Sequence, residues 1–167
     1  MNRLFKWLWL LSVILLIGQS LTGYGELPDR MASHFNAAGE PDGYSSKQEF
    51  FLLWYFLIVI VNIWVPLAPM IVRKLPLLLS VPNKNYWLAD ESRRERLIGI
   101  LTDVLSAILF LTNVILMLAF KYTADVNLGA PPPFSLSWII VLAVFGLLIG
   151  IIYPIYALRI GRKDYDG

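Results

Sequence analysis

Cysteine is absent from the 167 residues, which excludes disulfides, thiolate metal sites and cysteine nucleophiles together. Charge is scarce: Asp, Glu, Lys and Arg make up 16% of the chain, against about 25% in an ordinary soluble domain. The net balance is only +2 and no basic cluster rides on a soluble module, so no nucleic-acid partner is expected. Histidine occurs once, as His34. What is plentiful is apolar, with 57% hydrophobic residues and a mean hydropathy of +0.64. An integral membrane protein follows, stabilised by helix packing.

Four apolar segments are long enough to span, at about residues 4–21, 50–72, 97–120 and 135–158. The first follows a short basic start with Arg3 and Lys6, which a cleaved signal peptide would share. No small-x-small cleavage site follows it, so it reads as a retained span. Ser46 and Glu49 have capping-box spacing at the head of the second span. Pro66 and Pro69 fall in the last turns of that span, which predicts a kink or an unwound inner end. Asp90 suits the N-cap of the third. The triple proline Pro131, Pro132 and Pro133 makes a rigid entry to the fourth, where Gly146 and Gly150 permit close helix approach.

With the N-terminus inside, the inner segments hold Arg3, Lys6, Arg73, Lys74, Lys84, Arg93, Arg94, Arg96, Arg159, Arg162 and Lys163, 11 of the 14 basic residues. Only Arg30, Lys47 and Lys121 remain outside. The positive-inside rule then places both termini in the cytoplasm of a multi-pass cell-membrane protein. Residues 22–49 and 121–134 become outer loops, and 73–96 an amphipathic inner loop along the membrane surface. In that inner loop Pro82 and Asn83 precede Tyr86 and Trp87, an aromatic pair suited to the headgroup level.

The outer stretch LPDRMASHFNAAGEPDGYSSK, residues 27–47, holds the single histidine and is the longest run a bilayer would reject. Its prolines, its glycines and the apolar residues between them suggest a compact cap over the helix ends. Asp29, His34 and Asp42 are ligand types that suit zinc or another divalent ion. There is no second histidine and no His-Glu-x-x-His spacing, so a loop held by side-chain and turn hydrogen bonds is preferred, and no cofactor is expected. A Ser-His-Asp centre has no serine in a nucleophile-elbow context to support it.

Inside the spans, Asp103 is the one acidic residue. Asp103, Ser106, Phe110 and Asn113 follow a three-four-three spacing and share one helix face, which should point into the bundle. That face serves either a proton or cation step or a packing contact. In the packing case its polar groups bond across to Asn62 on the second span, or Asp103 reaches the inner headgroups and Arg96. The packing reading is preferred.

Leu27, Pro28, His34, Phe35, Gly39, Asp42 and Lys47, set between two spans, resemble the bacterial membrane domain of unknown function numbered 1648. Pro82, Asn83, Tyr86 and Trp87 look like the segment that often follows it. The resemblance covers about the first half of the chain. It implies kinship with SdpI-type proteins of Gram-positive bacteria, associated with immunity to a secreted toxin and with holding a repressor at the membrane. The sequence therefore leads to an all-α membrane protein of four spans whose 27–47 loop, containing Asp29, meets a peptide, lipid or membrane-protein partner, with a homodimer among the options. A small proton- or cation-coupled transporter using Asp103 and a metal-dependent enzyme using His34 are the alternatives.

Overall fold

The computed structural model describes residues 3–131 and 134–159. Pro132, Pro133, Arg162 and Lys163, used in the sequence reading, lie outside those residues. Helix α1 (Arg3–Tyr24) carries no charge between Lys6 and Tyr24, so nothing interrupts its apolar run. Helix α2 (Lys47–Asn62) begins at the expected capping box: the Ser46 hydroxyl accepts from the Glu49 amide, and the Glu49 carboxylate accepts from the Ser46 amide at 3.0 Å. Helix α3 (Trp64–Lys74) continues it after a bend of 41°.

That bend corrects the expected kink in position. It falls at Ile63, in the middle of the broken span rather than in its last turns. A proline acts on the turn before it: Pro66 has no N–H to give the carbonyl of Asn62, and its ring crowds that carbonyl. A short 3-10 turn (Pro76–Leu78) and helix α4 (Lys84–Leu88) follow.

Helix α5 (Glu91–Asn127) is 37 residues long, about 55 Å of continuous helix. The helix overruns the span expected at 97–120 at both ends. Asp90 caps it as expected, accepting from the Arg93 amide at 2.9 Å. Helix α5 is the post of the molecule, touched by α1, α3, α4 and α6 (Leu136–Arg159). The contact with α6 runs along the expected glycines, since a Cβ on Gly150 would lie 3.5 Å from Ile108 and one on Gly146 3.9 Å from Ile115.

Two helices, Leu4–Tyr24 and Glu91–Asn127, are each long and apolar enough to cross a membrane, and the bent α2–α3 pair passes the same test together. The protein is mostly helical, with one departure from an all-α plan. Strands β1 (Arg30–Phe35) and β2 (Pro41–Ser46) form an antiparallel hairpin where the sequence suggested a compact cap held by side-chain and turn hydrogen bonds.

Packing falls into two apolar clusters with a polar layer between them. Near the hairpin, Leu16, Leu27, Met31, Phe51, Trp54, Ile58 and Phe120 pack together. At the other end Val72, Tyr86, Trp87, Leu97, Ile98 and Leu158 do the same. Tyr86 and Trp87 are thus buried against protein, at 6% and 1% exposure, and do not stand at a lipid headgroup surface. They were expected there because their sequence position resembles an aromatic belt. The left-handed turn at Asn83, whose carbonyl accepts from both of their amides, instead turns them inward onto α5.

Candidate functional site: the hairpin and the cavity between α1, α3 and α5

The hairpin is built from residues that favour turns rather than strands. Asn36 closes it: its side-chain oxygen accepts from the Ala38 and Glu40 amides at 2.9 and 3.0 Å, and Gly39 takes φ +85°, which a side chain would disfavour. Ser33 is the extra residue at an irregularity between Ala32 and His34. His34 then pairs across the ladder with Gly43, and a Cβ on Gly43 would lie 2.9 Å from that of His34, so only glycine fits.

Helix α5 holds the hairpin from the side. The Asn127 side chain accepts from the Ala32 amide at 2.7 Å and donates to the Ala32 carbonyl at 3.0 Å, standing in for a neighbouring strand along the outer edge of β1. Tyr122 donates its hydroxyl to the Gly39 carbonyl at 2.9 Å and meets the Phe35 ring edge to face at 5.4 Å. From below, Lys47 donates to the carbonyls of Leu27 and Tyr24 at 2.7 and 3.3 Å, ties down the end of α1, and lies 3.6 Å from Asp29. The backbone amide and hydroxyl of Ser46 hold the Glu49 carboxyl below its ordinary value, at the water edge just before the apolar run that begins at Phe50.

Residues 7–59 match the domain of unknown function DUF1648. No curated protein and no solved structure matches the chain. The DUF1648 segment takes in most of α1, the whole hairpin and most of α2, and leaves α3 to α6 beyond it.

Within the DUF1648 segment the motif residues separate by position. Leu27 is buried in the outer cluster, Phe35 and Gly39 meet Tyr122, and Lys47 ties α1 to α2. Pro28 stands in the short link between α1 and β1. His34 and Asp42 differ, since their side chains are 75% and 42% exposed and bond to each other, Nδ1 to Oδ1 at 2.5 Å. Asp29 points elsewhere, to Lys47, so the three-ligand metal set does not form. Among the described residues no group of three or more His, Asp or Glu side chains is placed to hold a metal ion.

The polar positions of the spans form a second feature. Asn62 and Asn113 exchange both amide hydrogen bonds, at 3.0 and 2.9 Å. Asn113 also donates to Ser12, which bonds to the Trp9 carbonyl, while the Trp9 indole donates to Asn62 at 2.8 Å. Ser106 lies on the same face of α5, fully buried and without a partner among the described residues. Sequence reasoning found Ser106 and Asn113 from helical spacing and Asn62 from its place within the second span, but missed Trp9, Ser12, Tyr122 and Asn127. The signal available for Asn127 was an amide at the end of a helix opposite a loop, which without a fold has many readings.

Asp103 is half-buried and belongs to neither feature. Ten residues separate it from Asn113, about 15 Å along α5, which is half the thickness of a hydrocarbon core. It lines a cavity of about 420 Å³ between α1, α3 and α5, with Lys6, Trp9, Pro66, Pro69 and Glu95 among the walls.

Proposed function

We propose that this is a non-enzymatic accessory protein of the bacterial cell membrane, crossing it four times with both termini in the cytoplasm. Its hairpin engages a peptide or membrane-protein partner outside, in a role of the toxin-immunity or membrane-signalling kind. One observation carries the reading. Most of the motif is consumed in fastening the hairpin to α1, α2 and α5, and what remains presented is the exposed His34–Asp42 pair on a rigid mount. Exposed polar residues on a fixed loop are where recognition concentrates.

A cation-coupled transporter is the second reading, and the observation behind it is the cavity beside Asp103. Outward of that cavity, Asn62 and Asn113 satisfy each other and close the bundle, which favours the accessory role.

The test is photocrosslinking in cells with a photoreactive residue at the exposed position of Tyr44, cross-strand from Ala32. A discrete protein adduct is expected, lost in a His34→Ala, Asp42→Ala background and absent when the probe stands at the exposed apolar Leu52. The same adduct with and without the His34–Asp42 pair would refute recognition by that pair.

A further inference from the structure

The cavity between the inner ends of α1, α3 and α5 carries charges of opposite sign that do not neutralise each other. Lys6 on α1 and Asp103 on α5 both line it, and no hydrogen bond or ion pair of either side chain occurs among the described residues. The other carboxylate there, Glu95, is already taken by Arg73 through bonds of 2.6 and 3.1 Å. Lys6 and Asp103 therefore set the polarity of the space. Between them the walls are Trp9, Val65 and two prolines, and Pro69 deprives the Val65 carbonyl of its helical donor, which adds a negative dipole on the α3 side.

The volume, about 420 Å³, is far more than a single water needs. Position narrows the ligand further. Ser12 bonds Asn113, so α1 and α5 are level there; Lys6 lies about 9 Å and Asp103 about 15 Å inward of that level. With the asparagine layer at mid-membrane, Asp103 stands at the edge of the hydrocarbon core and the Lys6 backbone about 6 Å inside it, a distance its long side chain spans towards the headgroups.

We propose that the cavity binds a phosphoethanolamine group, its ammonium on Asp103 and its phosphate on Lys6. A primary ammonium offers the N–H donors a carboxylate needs, and the phosphate matches a lysine point charge. An anionic headgroup alone would leave Asp103 unpaired, and a choline headgroup has no N–H to donate.

The experiment titrates the purified full chain in detergent with short-chain phosphatidylethanolamine, phosphatidylcholine, phosphatidylglycerol and soluble phosphoethanolamine, reading the thermal midpoint and bound mass by native mass spectrometry. Phosphatidylethanolamine should bind about tenfold or more tighter than the other two lipids, and Asp103→Asn and Lys6→Gln should each remove that preference. Soluble phosphoethanolamine binding as tightly as the lipid assigns the site to a free ligand, and binding by the lipid alone assigns it to the bilayer. Equal affinity for the three lipids, or no shift with either phosphoethanolamine compound, overturns the proposal. So does unchanged preference in Lys6→Gln, whose exposed side chain can be replaced without touching the packed clusters.

Discussion

An asparagine within a membrane helix must find partners or leave its amide bare in hydrocarbon, and Asn113 finds them in Asn62 and Ser12. Every polar atom of the two amides is used, with Trp9 and the Ile58 carbonyl completing the set on Asn62. Truncating one partner strands the other, so Asn113→Ala should lower stability by about 1–3 kcal/mol. A double-mutant cycle with Asn62→Ala, measured by reversible unfolding in mixed micelles, should return a coupling of about 0.6–2 kcal/mol. A coupling near zero would mean the two amides do not clamp the bundle. This layer was half legible in the sequence. The spacing of Ser106 and Asn113 on α5 marks an inward face, because helical periodicity is a local property. Trp9 and Ser12 were not singled out: Ser12 shares a face with Gln19 and Ser20, but the partners of that face lie on other helices.

At the scale of elements, the hairpin depends on α5 more than on its own sequence. Isolated two-stranded hairpins are marginal in water, and β2 is made of Pro, Asp, Gly, Tyr and Ser, most of them poor strand formers. Pro41 is tolerated because it is the first residue of its strand. Asn127 supplies the missing neighbour to β1, and Met31 anchors the strand in the outer cluster. Asn127→Ala should therefore speed hydrogen exchange at the Ala32 amide by about tenfold or more, leaving the amides of α5 around Asn113 unchanged. Unaltered protection at Ala32 would show that the strand needs no help from the helix. The same dependence explains why strands were not foreseen: residues 30–46 lack the alternation of a half-buried sheet, and their partner is 95 positions away. The ends of α2 and α5 were visible because a capping box and an Asp N-cap act within four residues.

For the whole molecule, the spans were legible because hydropathy sums over many residues. The 37-residue length of α5 was not, since charged flanks end a hydropathy window without ending a helix. The proposed orientation is open to a clean test in a chain free of cysteine. A membrane-impermeant maleimide should label Asp29→Cys in intact cells, and Asn85→Cys only after permeabilisation; the opposite pattern would invert the topology. Both chosen side chains are exposed. The length of α5 has a mechanical side as well. The hairpin is fastened at its Asn127 end, the α3–α4 cluster sits on its Leu97 end, and Asn113 is gripped between them. From Asn113 the helix reaches about 21 Å to its Asn127 end and about 33 Å to its Glu91 end. With Asn113 as the pivot the two arms are unequal, so a rigid tilt applied at the hairpin moves the Glu91 end about one and a half times as far.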